Sequence, residues 1–154
     1  MSTAGPDVDD AIRTLLLLMP RMVGRAKRLP VPAELHSLAL APRHLSLLAC
    51  LLFDGESSVN ELAERLEVAP TTVSLMVGEL SRKGILERHE DPADRRRKLV
   101  SITAARRGAI DAWLGRSAQA WRVALEPLTA AERRTFVETL AAYERQLGGE
   151  GDPS

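Results

Sequence analysis

Asp94-Arg95-Arg96-Arg97-Lys98 sets four cations in a row behind one acid. From Ser81 to Arg107 the cations are Arg82, Lys83, Arg88, Arg95, Arg96, Arg97, Lys98, Arg106 and Arg107, against Glu87, Glu90, Asp91 and Asp94, a local excess of five. The whole chain of 154 residues balances 21 basic against 21 acidic side chains. A local patch, not the total, is what meets a row of phosphates. A charged hairpin that merely faces water would carry the same run, so its placement has to decide.

No catalytic arrangement stands out elsewhere in the chain. There is no nucleophile elbow, P-loop or glycine-rich dinucleotide turn. Cys50, the single cysteine, lies in the apolar run Leu47 to Phe53 with no cation beside it in sequence, which reads as an inert buried thiol rather than a redox sensor. His36, His44 and His89 lack metal-ligand spacing with one another or with Cys50. No enzyme activity, cofactor or metal is therefore expected. Phe53, Trp113, Trp121, Phe136 and Tyr143 all lie outside the basic segment, so splayed bases would find no stacking platform and duplex DNA is the expected partner.

The elements that must position these residues can be read on either side of the basic run. Ser58-Val59-Asn60-Glu61 is a capping box that opens a helix with Leu62, Ala63 and Leu66 on one face. The short connection Glu67-Val68-Ala69 leads to Pro70, whose fixed φ suits the first position of a second helix. That helix turns Val73, Met76, Val77 and Leu80 inward and leaves Thr71, Thr72, Ser74, Leu75 and Gly78 on other faces. So tight a turn makes the two helices cross steeply, with Ala63 as the small residue at the crossing. Gly84 is a C-cap, Ile85–His89 and Lys98–Ile102 read as two strands, and Glu90 to Arg97 reads as an exposed basic tip turning at Asp91-Pro92. Helix-turn-helix followed by hairpin is the order of a winged helix.

Elsewhere the pattern is helical. Val8, Ile12, Leu15, Met19 and Met22/Val23 recur at helical spacing, with Pro20 as a kink, and Leu29-Pro30-Val31-Pro32 ends that helix in a linker. Pro42 opens another helix, closed by Asp54-Gly55. A long helix from about Ala104 to Leu125 carries Ile110, Trp113, Leu114, Ser117, Trp121 and Leu125 and stops at Pro127. Thr129-Ala130-Ala131-Glu132 is a second capping box before Phe136, Leu140, Tyr143 and Leu147. Met1 to Pro6 and the tail 148–154 read as disordered ends.

Val59-Asn60-Glu61-Leu62-Ala63, Thr72-Val73-Ser74, Leu80 to Arg88 and Asp91-Pro92-Ala93-Asp94-Arg95-Arg96 together resemble the MarR family of bacterial transcriptional regulators. The likeness extends to Leu40-Ala41-Pro42-Arg43-His44 upstream and Thr103 to Gly108 downstream. It implies a mainly α fold with a small β-hairpin wing: an N-terminal dimerisation helix and linker over 1–32, a winged helix-turn-helix lobe over 33–103 and C-terminal dimerisation helices over 104–147.

A wing lobe is too small to cover three amphipathic helices, and the resemblance implies the same solution as that argument, an intertwined homodimer on a pseudo-palindromic operator. Pro70, Thr71, Thr72, Ser74, Leu75 and Arg82 are the expected DNA contacts of the second helix, with the hydroxyls at base edges. Many relatives carry arginine just after the serine; Leu75 here replaces a guanine contact with apolar surface suited to a thymine methyl. By resemblance Arg96 enters the minor groove and Asp94 orients it, or serves the turn, while Arg95, Arg97 and Lys98 meet phosphates. The resemblance also implies a small amphipathic or aromatic effector, for which Met19, Met22, His44 and Trp113 are candidates, with core packing as their alternative role. A protein-interaction module or an enzyme on the same fold is the competing reading. One cysteine, no leader pattern and no long apolar span lead to an expectation of a cytoplasmic protein with no membrane contact.

Overall fold

The computed structural model describes residues 5–149. Its elements in chain order are α1 (Val8–Lys27), a 3₁₀ segment (Ala33–Leu38), α2 (Pro42–Asp54), α3 (Val59–Leu66), α4 (Pro70–Arg82), β1 (Leu86–Asp91), β2 (Asp94–Ile102), α5 (Ala104–Leu125) and α6 (Ala130–Gly149). The chain forms two compact units, one ending at Leu114 and the other beginning at Gly115.

The first unit is built on one apolar core. Leu47, Leu48 and Leu51 of α2, Leu62 and Ala63 of α3, and Val73, Met76, Val77 and Leu80 of α4 are buried together with Leu86, Val100 and Ile102 of the hairpin and Ala109 and Ile110 of α5. The helices α2 and α4 contribute residues three or four apart, the spacing that makes one face of a helix. Ser58 caps α3 by accepting from the Glu61 N–H at 3.2 Å. The connection to α4 turns at Glu67, whose φ of +54° is left-handed, and Val68 N–H bonds back to the Ala63 carbonyl at 3.2 Å. Orphan carbonyls at the end of α3 are thereby satisfied within a few residues, and α4 starts directly after at Pro70.

Gly84, with φ +73°, ends the α4 segment in the left-handed conformation that glycine adopts without strain. The hairpin that follows is longer than its apolar pattern predicts. β1 runs two residues past His89, and β2 begins at Asp94 rather than Lys98. Only Pro92 and Ala93 form the turn. The pairing passes from Glu90↔Lys98 directly to Asp91↔Asp94, so Arg95, Arg96 and Arg97 have no partner across the ladder and form a bulge in β2. The three arginines therefore sit on a bulged strand, not on a turn tip as expected. A bulge re-aims side chains and increases local twist, and so carries charge outward without alternation.

Two further differences are structural. The 3₁₀ segment Ala33–Leu38 lies just past the expected linker and buries Leu35. α1 continues through Pro20 to Lys27. It is capped by Asp7, which accepts from the Asp10 N–H at 2.8 Å, and no residue of α1 is buried. In the second unit Thr129 and Glu132 complete a reciprocal capping box at 3.2 and 2.9 Å, and Trp121 and Phe136 pack with ring centroids 5.7 Å apart. α6 runs to Gly149, two residues past the expected end; the expected disorder of 1–4 and 150–154 lies outside the described residues.

Candidate nucleic-acid interface

Burial of Val73, Met76, Val77 and Leu80 fixes the rotation of α4, and the opposite face follows from it. Pro70, Thr71, Thr72, Ser74 and Leu75 are all exposed, as is Arg82 at the far end of the helix. Leu75 is 69% exposed, a large apolar side chain beside two threonines and a serine. Such a face offers hydroxyls that donate or accept and one methyl-bearing knob, with cationic charge only at its far end.

The bulge supplies the charge. Asp94 Oδ1 accepts from the Arg96 backbone N–H at 3.0 Å, and Asp91 Oδ1 accepts from the Ala93 N–H at 2.9 Å. Asp94 thus fixes the main chain of Arg96, which is how an aspartate serves a turn. Arg95, Arg96 and Lys98 are exposed. Arg97 differs from them: its guanidinium pairs with the Glu61 carboxylate of α3, and Asp91 lies 4.0 Å away. The glutamate of the first capping box is therefore spent on the wing, while Ser58 alone caps α3.

A recess of about 410 Å³ opens between the start of α3 and the bulge, lined by Ser58, Val59, Asn60, Asp94, Arg96, Arg97 and Lys98. The start of α3 and the cationic strand line it together, with the Asp94 carboxylate among the lining groups and Glu61 already paired to Arg97. Ser58 was legible only as a cap and Asn60 had no role of its own in the sequence, because the approach of the wing to α3 carries no sequence signal.

The histidine of the effector set has other work. His44 is 2% exposed; its Nδ1 accepts from the Ala41 N–H at 3.0 Å and its Nε2 lies 3.0 Å from Glu79 Oε2 in α4. Arg43 reaches the same carboxylate oxygen at 3.3 Å. The bond from His44 holds the Glu79 carboxyl below the usual range, with Arg43 adding to it and desolvation opposing it. Trp113 is half-buried against the core, Met19 is half-buried and Met22 exposed on α1, and none of the described cavities is lined by any of the four. Burial pushes the Cys50 thiol up, with Asp54 adding and Arg65 opposing, so it is held in the unreactive protonated form. No described helix is long and apolar enough to cross a membrane.

Known proteins match this arrangement. Residues 40–98, from just before α2 to the end of the bulge, match the model of the MarR family. Over that stretch, which holds the helix-turn-helix and most of the hairpin, the chain is similar to the MarR family. Over 64 residues it is 39% identical to the HTH-type transcriptional repressor MdtR of Bacillus subtilis, a match spanning 42% of this chain and 41% of that one. Two solved structures share the fold along most of both chains. One is a Staphylococcus aureus MepR mutant bound to an oligodeoxyribonucleotide, with 20% identity, 85% of this chain and 96% of that one covered, and a TM-score of 0.52. The other is the PcaV transcriptional regulator of Streptomyces coelicolor in complex with its natural ligand, with 21% identity, 94% and 98% covered, and a TM-score of 0.54.

Proposed function

We propose that this protein is a homodimeric repressor that binds a pseudo-palindromic duplex operator through α4 and the β2 bulge and releases it in response to a small amphipathic effector. The observation that carries the reading is the pairing, in one lobe, of an exposed hydroxyl and leucine face on α4 with the exposed cations Arg95, Arg96 and Lys98 on the bulge. A helix of that kind reads base edges in a major groove, and a cationic hairpin beside it meets the backbone and minor groove. MepR bound to an oligonucleotide and the repressor name of MdtR support the same reading.

Dimerisation follows from apolar surface that one copy leaves open. Ile12, Leu15, Leu16 and Val23 on α1, and Val137, Leu140, Tyr143 and Leu147 on α6, are all exposed. Rows of that length are characteristic of helices covered by another chain. The effector belongs with Met19, Met22 and Trp113, whose pliable apolar surface would line a site completed in the dimer; the ligand held by PcaV supports it. His44, with both ring nitrogens engaged, is left out of that group.

Selection of duplexes from a random-sequence pool by the purified protein tests the reading. The expected product is an inverted repeat whose half-sites lie one helical turn apart, with thymine at the position read by Leu75. Recovery of no enriched sequence at moderate salt overturns it.

A further inference from the structure

His44 occupies an unusual place for a titratable group. It is buried in the first turn of α2, where the cap residue, Ala41, has no side-chain acceptor to offer an orphan amide. The imidazole fills half of the capping role by accepting the Ala41 N–H on Nδ1. An Nδ1 that accepts cannot also carry a proton, so the ring is neutral and its single N–H is on Nε2, from which it donates to Glu79. One ring thus joins the start of α2 to α4, 35 residues later.

Resting on the DNA-binding reading above, we propose that His44 is a positioning residue for the operator-reading helix and that it works only as the neutral ring, so that protonation weakens operator binding. A second proton would go to Nδ1. It would set two donors, Nδ1–H and the Ala41 N–H, against each other at 3.0 Å, and the amide would lose its partner. The bond must then break, and the ring cannot keep its place over Glu79 while turning away from Ala41. The charged groups around it are few. Glu79 of α4 faces Nε2, and Arg43 of α2 shares its carboxylate. Lys83, just past α4, is turned away to the Leu38 carbonyl at 2.5 Å. On the elements that also pack against α2, Glu61 of α3 and Arg97 of β2 hold each other, and Arg65 of α3 holds Asp54 and Ser57.

The test compares the full-length protein with His44→Gln, whose amide can accept from Ala41 and donate to Glu79 without titrating, as glutamine does at this position of a capping box. Affinity for the selected duplex is measured from about pH 8 to about pH 5.5. The wild type is expected to lose roughly five- to tenfold, and His44→Gln to stay within about twofold. His36 and His89 are unchanged in that variant, so an equal pH dependence in both proteins overturns the proposal. A second measurement needs no DNA: in amide and imidazole NMR spectra, the Ala41 amide and the α4 amides near Glu79 should shift with the titration of the His44 ring, and should be still in His44→Gln. An Ala41 amide that does not follow the ring overturns the proposal even if DNA binds. Linked titration in a protein that selects no duplex refutes instead the assignment of α4 to an operator.

Discussion

Arg97 of β2 is paired with Glu61 in the first turn of α3, so one of the four neighbouring cations of the wing is already neutralised within the protein. The pair crosses from the hairpin to the helix-turn-helix and ties the two together. Surface pairs of this kind are worth little as stability, at most about 1 kcal/mol. Their effect is on which cations are free.

Salt dependence distinguishes the free from the paired. Arg95→Ala should lower the slope of log affinity against log salt by about one, the share of one phosphate contact, whereas Arg97→Ala should lower it by clearly less. Glu61→Gln, by releasing Arg97, should steepen the slope. Equal flattening by Arg95→Ala and Arg97→Ala would show that Glu61 leaves Arg97 available.

Arg96 has its main chain fixed by Asp94 and its side chain exposed. Arg96→Ala should cost ~1–3 kcal/mol of operator binding and relax sequence preference, since a groove contact is lost. Anisotropy titrations on the selected operator and on a scrambled duplex give both quantities; an unchanged ratio between the two rules out a groove role.

Leu140 of α6 is 40% exposed in the single chain. In the proposed dimer it would be covered, and Leu140→Asp would bury an unpaired charge there. Sedimentation should show a wild-type dimer at micromolar concentration and a monomer or unfolded chain for the variant, whereas Glu138→Gln, on the same helix, should remain dimeric. A folded wild-type monomer contradicts the assembly.

The α6 cap predicts a pH effect with a definite sign. Glu132 accepts from the Thr129 N–H, which holds its carboxyl below the usual range, with the Thr129 side chain contributing in the same direction. A carboxyl depressed in the folded state stabilises it above the unfolded value and loses that contribution as pH falls through the folded one. Thermal unfolding of the wild type should therefore approach that of Glu132→Gln as pH drops from about 6 toward about 3, across the ordinary carboxylate range. Parallel curves for the two proteins would show that the cap carries no charge-dependent stability.

Much of this arrangement was legible in local chemistry. Ser58, Thr129 and Gly84 announce helix ends because each serves backbone groups or conformations close by in sequence, and the buried row Val73, Met76, Val77 and Leu80 announces the exposed one. The extent of β2 was not legible, because Asp94 to Lys98 has no alternation: its arginines are held by a bulge, and a strand exposed on both sides has no apolar period to show. The 3₁₀ segment is too short for a period and is marked only by the burial of Leu35. Glu61 to Arg97 and His44 to Glu79 span 36 and 35 residues, and contacts that distant leave no trace in spacing.

The root of the hairpin is clamped on both sides. Thr103 donates its N–H to the Ile85 carbonyl and its hydroxyl to the Gly84 carbonyl, both at 2.8 Å, and Ser57 exchanges both backbone bonds with Val100. From Lys98 outward, among the described residues, the hairpin is held to the rest of the lobe by the pair to Glu61. Mechanically the wing is a cantilever, stiff where it joins the lobe and compliant toward Pro92. Its reach can therefore be altered by lengthening the Pro92-Ala93 turn while Leu86, Val100 and Ile102 stay seated, so that the distance the cationic strand extends and the stability of the fold can drift independently.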